Sequence, residues 1–210
     1  MANAERKSYA QYCTVANALD IVGDRWTLLI LRELLGGAAR FSDLQDALPG
    51  IAKNLLTKRL RQLEDDGIIR RAGTQKRAPY TITELGSKVR PVIDALGQWG
   101  AYVPRITPPE HYRSIRATSI AFQAIMARIG AVPEEARVVE LEIDGEDMQI
   151  RLDARPTASA GSVAGPDARL SMSRETVVNY LAGKGLSHED VILVEGDADA
   201  KTAFLRALGK

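Results

Sequence analysis

Apolar residues recur at helical spacing through most of the first half of the chain, and the pattern changes to alternation from about residue 137 onward. The first period predicts amphipathic helices, the second half-buried strands. Residues 14–22 (TVANALDIV) predict a short helix ended by Gly23. A second, nearly all buried, is predicted from Arg25 to Leu35, with Trp26, Leu29, Ile30 and Leu34 at helical spacing and Gly36-Gly37 as its stop. Ser42 with Gln45 three residues on is a capping-box pattern, predicting a helix over Asp43–Leu48. After the turn signal Pro49-Gly50, an uninterrupted helical stretch runs to Gly67. At 100° per residue its leucines, Leu56, Leu60 and Leu63, fall within about 60° of one another. Thr57, Arg61, Asn54 and Lys58 occupy the opposite side, over an arc about 100° wide.

Two β-prone runs follow, 68–72 (IIRRA) and 79–83 (PYTIT), and the six residues between them allow only a hairpin loop. Pro79 at the start of the second run predicts an edge strand. Thr83 is placed to cap a long amphipathic helix from Glu84 to about Tyr102, striped by Val89, Val92, Ile93, Leu96 and Trp99. With little core left to cover, that stripe fits a second subunit. Pro104 to Pro109 reads as a stiff linker. Beyond it the pattern predicts a helix over 110–130, strands over 137–144, 148–153 and 168–173, and a small-residue loop over 157–165. A helix over Arg174–Ala182 capped by Ser173, a strand over 191–195 and a final helix over Ala198–Leu208 complete the chain. The expected domains are 1–103 and 110–210, and the fold class is α+β.

Composition changes this picture in one respect. Net charge is +1 over 210 residues. Residues 1–105 hold 16 Lys+Arg against 11 Asp+Glu, whereas residues 106–210 hold 12 against 16. A basic half joined to an acidic half points to different partners, nucleic acid for the first. An apolar fraction of 45% is that of an ordinary globular protein. No apolar run reaches the roughly 18 residues of a membrane span, and the N-terminus lacks a signal-peptide pattern. A cytoplasmic protein with no membrane partner is expected. Cys13 is the only cysteine, so no intrachain disulfide can form, and no Cys/His cluster has zinc spacing. No nucleophile–base set or phosphate loop stands out, so no catalytic residue, metal or cofactor is expected. His111 and His188 read as solvated, the latter just after a helix cap at Ser187. Glu64-Asp65-Asp66 reads as a solvated acidic end pointing away from DNA.

The order helix, helix, helix-turn-helix, hairpin, long helix is that of a winged helix-turn-helix. Cys13 with LDIVGDRWTLLILRELL, then RFSDL (40–44), LPGIAKNLLTKRLRQLEDDGII (48–69), YTITELG (80–86) and Trp99-Gly100 resemble the HxlR family of bacterial winged-helix transcription regulators. That resemblance implies a homodimer bound to double-stranded DNA, with the helix over 52–65 in the major groove and the hairpin as wing. The residue chemistry agrees. Arg reads guanine and Asn reads adenine in the major groove, while Lys and Arg neutralise phosphate. The candidate DNA-binding residues are Arg40, Lys53, Asn54, Thr57, Lys58 and Arg61, with Lys76 and Arg77 in the wing. Arg59, nearer the leucine face, reads as structural or as a backbone clamp. The candidate dimer interface is Val92, Leu96 and Trp99. Some members of the resembled family sense oxidants or electrophiles through a cysteine placed like Cys13; the alternative is a small buried apolar residue.

In the second half, PDARLSMS (166–173), LAGK (181–184) and VEGDADAKTAFLRAL (194–208) resemble the sterol-carrier-protein-2-like fold. That resemblance implies strands and helices enclosing an apolar pocket for a lipid, an acyl chain or another apolar molecule. The reading is a dimeric regulator, repression being the favoured sign, with an apolar ligand in the second half. Two further readings stay open: a lipid carrier whose winged helix serves protein contact, and a second half that only supports dimerisation or stability.

Overall fold

The computed structural model describes residues 8–73, 75, 77–100, 103, 114–131, 133–181 and 183–209. The linker 104–109, His111 and Lys76 lie outside the described residues. The chain forms two compact units, one holding residues up to Leu34 with Ala38–Ile93, the other Leu35–Gly37 with Asp94 onward.

The first unit contains α1 (Thr14–Val22), α2 (Thr27–Leu35), α3 (Phe41–Ala47), α4 (Lys53–Asp65), β1 (Ile69–Arg71), β2 (Tyr80–Ile82) and α5 (Glu84–Ser87); α6 (Arg90–Gly100) begins in it. Ile30, Leu31, Leu34, Leu44, Leu56, Leu60 and Leu63 are almost wholly buried. The stretch from Arg25 to Leu35 is less uniformly buried than expected, since Arg25 is exposed and Trp26 and Leu29 are half-buried. Asp24 organises its entry: its carboxylate accepts from the Trp26 N–H at 3.2 Å and the Thr27 hydroxyl at 2.8 Å. Helix α3 starts two residues before the expected position. The Asp43 carboxylate, not the Ser42 hydroxyl, satisfies a free backbone donor at its start, accepting from the Arg40 N–H at 2.8 Å.

The hairpin is wider than the two predicted runs. Tyr80 exchanges backbone hydrogen bonds with Ala39 at 3.0 and 2.8 Å on one side, and β1 pairs antiparallel on the other. So β2 is flanked on both sides at Tyr80 and is not an edge there; Pro79 sits one residue before the strand. Its missing N–H therefore costs the ladder nothing. The predicted helix from Glu84 breaks at Lys88–Val89 and restarts at Arg90. Pro91 explains the restart, because proline is tolerated in a first turn and disrupts a helix interior. Tyr102 lies outside the described residues. Thr83 does cap α5, its hydroxyl accepting from Gly86 N–H at 3.1 Å. Gly86 is required here, since a Cβ would overlap the Ile68 carbonyl oxygen and reach 2.8 Å from Ile82 Cγ1.

In the second unit, α7 (Ile115–Ile129), α8 (Arg174–Leu181) and α9 (Ala198–Ala207) accompany a five-stranded sheet. Its order is β5 (Thr157–Ala160), β4 (Glu146–Leu152), β3 (Arg137–Ile143), β6 (Ala168–Met172), β7 (Ile192–Gly196). Only the β3–β6 pair is parallel. Strands β3 and β4 join through Asp144-Gly145, both at positive φ, as a two-residue hairpin turn requires. The segment expected to be a loop over 157–165 instead begins with β5. Its small residues carry a weak strand signal, and pairing with β4 overrides it. The remaining small residues have a topological task. Strand β5 lies beyond β4 at one edge and β6 beyond β3, so 161–167 must cross the sheet. Glu140, 5% exposed, accepts from the Val163 N–H at 2.8 Å, and Asp147 accepts from the Ser162 hydroxyl at 2.7 Å. Gly161 and Gly165 supply the positive φ angles at its turns.

Val139, Leu141, Ile143, Met148, Ile150, Leu152, Leu170 and Met172 alternate onto one face and are buried. Phe122, Met126, Val177, Phe204 and Leu205 from the helices complete that core. A hollow of about 300 Å³ opens beside α7, between Gln123, Met126, Ala127, Arg155 and Pro156. Ser173 caps α8 as expected, accepting from the Thr176 N–H at 3.1 Å. Ser187 closes a turn with Asp190, and no helix begins there.

Tyr180 reports on this core. Its hydroxyl donates to the Leu208 carbonyl at 2.8 Å, and its ring meets Phe122 edge-on at 6.0 Å. Burial pushes its pKa up to about 12, with Arg128 opposing. A phenol raised above its unfolded value near 10 contributes stability that is complete below about pH 10 and lost as pH rises towards 12. The denaturation midpoint of the full chain should fall across that window, and Tyr180→Phe should flatten the fall; an identical pH profile in the variant would reject the assignment.

Candidate nucleic-acid interface

Helix α4 is held from behind and open in front. Leu56, Leu60 and Leu63 are at most 1% exposed, and each buried leucine is worth roughly 1.5–3 kcal/mol. Arg59 reinforces the hold, its Nε 3.0 Å from the Asp24 carboxylate and its Nη1 2.8 Å from Gln62 Oε1. Both contacts fit the structural reading, one of the two its position allows. Gly67 at φ +68° ends the helix, and the Ile68 N–H returns to the Leu63 carbonyl at 2.9 Å.

In front, Lys53, Asn54, Lys58 and Arg61 are exposed and Thr57 is half-buried. The Thr57 hydroxyl donates to the Lys53 carbonyl at 2.8 Å, and Asn54 Oδ1 accepts from the Leu55 N–H at 2.8 Å. Thr57 therefore turns its hydroxyl proton inward, while the Asn54 amide nitrogen keeps its donors. No acidic residue occupies the first turn of α4, so its positive helix end is not neutralised there. Arg40 is exposed at the start of α3. In the hairpin, Arg70 and Arg77 are exposed; Lys76 lies outside the described residues.

Arg71 behaves differently from its neighbours. Its Nε lies 3.2 Å from Glu64 Oε1, its Nη2 donates to the Tyr80 hydroxyl at 2.8 Å, and its guanidinium is 4.9 Å from the Tyr80 ring centroid. Burial raises the Tyr80 pKa, with Arg71 lowering it in part. Glu64 is consequently engaged with the hairpin and is not simply a solvated end. This contact could be read only once the register placed Arg71 opposite Tyr80.

Two apolar stripes remain uncovered. On α6, Val92, Leu96 and Trp99 are 48%, 43% and 66% exposed. On and just before α1, Tyr12, Val15 and Leu19 are exposed at helical spacing. Cys13 sits at the N-terminus of α1 and is exposed, so it is not a buried apolar residue. Backbone N–H groups of Ala16 and Val15 lower its thiol pKa, the direction that favours the reactive thiolate.

Among the described residues no group of His, Cys, Asp or Glu is arranged to hold a metal ion, and no helix is long and apolar enough to cross a membrane. The family model HxlR-like helix-turn-helix matches residues 21–106. The HTH-type transcriptional regulator sll1512 of Synechocystis is 39% identical over 92 residues, 42% of this chain and 68% of that protein. The HTH-type transcriptional regulator YdeP of Bacillus subtilis is 37% identical over 105 residues, 48% of this chain and 82% of that one. The chain belongs to the HxlR family. Membership makes it a helix-turn-helix transcription regulator with DNA as its partner. Among solved structures, the quinone-bound YodB of B. subtilis is 30% identical, covering 43% of this chain and 98% of that one at a TM-score of 0.38. Both curated relatives match fewer than half of the residues of this HxlR chain.

The Cys13 environment makes a direct prediction. Alkylation of this single thiol by iodoacetamide should show a pH midpoint below the roughly 8.5 of free cysteine, because the thiolate is the nucleophile. A midpoint at or above that value would mean the helix end does not activate it.

Proposed function

We propose that this HxlR protein is a cytoplasmic, homodimeric regulator, acting as a repressor, that reads DNA with α4. Residues 1–103 form the DNA-binding and dimerisation part and 110–210 the ligand-binding part. The observation that carries the reading is the α4 face: Asn54, Lys58 and Arg61 exposed opposite three buried leucines, with Lys53 exposed at the first residue of the helix. Arg61 and Asn54 carry the base-reading chemistry, with Thr57 beside them; Lys53, Lys58 and Arg40 neutralise phosphate. The wing cations Lys76 and Arg77 add phosphate contacts. The second subunit covers Val92, Leu96 and Trp99, whose exposure along one face of α6 supports that role.

The ligand reading rests on the hollow beside α7. Met126, Ala127 and Pro156 offer it apolar walls, while Gln123 and Arg155 stand among them. The Gln123 Oε1 accepts from the Ala158 N–H at 3.3 Å, which leaves its amide N–H groups and the Arg155 guanidinium as donors. Such a site suits a small apolar body carrying an acceptor group. A ligand there alters operator affinity only if it binds the DNA-bound and free forms unequally. A second reading is favoured by Cys13: exposed and lowered in pKa, it suits a redox or electrophile sensor acting through α1.

Arg61→Ala should relax preference at one base position, with a loss of about 1–3 kcal/mol for the preferred sequence. Lys76→Ala should weaken all duplexes nearly alike and reduce the log–log salt slope by about 0.9. Gel shifts on duplexes selected from random DNA decide between them; equal, sequence-blind losses in both variants would overturn the division of labour. Trp99→Ala should shift the monomer–dimer equilibrium towards monomer in sedimentation, and an unchanged dimer would reject the α6 interface.

A further inference from the structure

We infer that Arg71 is a positioning residue, which sets the angle of the wing against α4 and does not contact phosphate. The inference rests on the DNA-binding reading above and assigns a part that sequence composition hides. By charge alone Arg71 joins Arg70, Lys76 and Arg77 in a basic hairpin. In the fold it is set apart. It closes β1 opposite Tyr80, and its side chain turns back along the hairpin towards the last turn of α4.

Contacts with Glu64 and Tyr80 define the arrangement. Glu64 Oε1 takes the Nε at 3.2 Å, the Tyr80 hydroxyl takes Nη2 at 2.8 Å, and the Tyr80 ring lies beneath the guanidinium at 4.9 Å. Tyr80 is itself 6% exposed and hydrogen-bonded through its backbone to Ala39, the residue before the entry to α3. One guanidinium therefore joins the end of the reading helix to the central residue of the wing sheet. Its charge is paired at the surface with that of Glu64, the two side chains 38% and 26% exposed, which weakens its pull on phosphate. A planar, forked cation meets this geometry, whereas a lysine ammonium cannot hydrogen-bond to two partners in one plane and stack at the same time. The arrangement also gives Glu64 a purpose. A carboxylate on a helix that faces a polyanion is unfavourable unless it is tied down, and Arg71 ties it to the hairpin.

The test uses the full chain and the tightest duplex that the wild type selects from random-sequence DNA, titrated across a range of salt. Arg71→Lys keeps the charge and loses the fork; Arg71→Ala loses both. If Arg71 positions the wing, both variants bind on the order of fivefold more weakly, with the wild-type salt slope. Glu64→Ala combined with Arg71→Ala is then less than additive. Tyr80→Phe, which removes only the hydroxyl, gives a smaller loss in the same sense, and this milder change serves if an Arg71 variant melts early. If Arg71→Lys binds like wild type while Arg71→Ala loses about 0.9 of salt slope, Arg71 is a phosphate contact and the inference is wrong. Unchanged affinity in every variant also overturns it. A wild type that selects no duplex removes the DNA-binding reading itself, a result distinct from either.

Discussion

Burial of Leu56, Leu60 and Leu63 is the constraint on which the outward face of α4 depends. A helix steps about 100° per residue, so once three leucines are committed to the core the outward residues are no longer free to vary. Turning α4 enough to bury Asn54 or Arg61 would expose all three leucines, at a cost of several kcal/mol. Arg59 and Asp24 add a polar stop to that rotation at the helix flank, and Gly67 fixes where the helix ends and the hairpin begins. The chemistry on the outward face of α4 thus rests on interactions made on its opposite side.

Charge in this protein divides by geometry rather than by count. Among the cations of the first unit, Arg59 and Arg71 are spent on internal contacts with Asp24 and Glu64. Lys53, Arg61, Arg70 and Arg77 are exposed. The nominal excess of positive charge in the first half comprises both kinds, and a cation paired with a carboxylate adds less to the net field than an unpaired one. The acidic excess of the second half is divided in the same way. Glu140 and Asp147 grip the crossover above the sheet, and Asp167 accepts from the Val138 N–H at 2.6 Å. These carboxylates replace ladder bonds that a crossing segment cannot make.

Much of the first unit was legible because its signals are local. Helical spacing, Pro49-Gly50 and Gly67 delimit α4, and the run from Ile68 to Thr83 can only be a hairpin. The failures are equally specific. The start of α3 is ambiguous in the sequence because two residues, Ser42 and Asp43, both suit a capping role, and only the backbone geometry selects Asp43. The break before α6 was missed although Pro91 signals it. Strand β5 was missed because Thr157, Ala158, Ser159 and Ala160 have almost no apolar contrast. Its strand character comes from β4, and its neighbour in the sheet is invisible in its own residues. The convergence of Phe122, Phe204 and Met126 on one core depends likewise on how the helices sit on the sheet.

By itself the sequence determined the helix period, the turn positions and the chemistry available on the face of α4, because each depends on residues within a few positions of one another. Tertiary structure decided which of those charges are available. Arg71 and Glu64 are seven residues apart, and Arg71 and Tyr80 nine, with a turn and a strand register between them. Whether a guanidinium faces solvent or a neighbouring carboxylate is settled by that register and by the angle between helix and hairpin. Both are products of packing, and no local pattern encodes them.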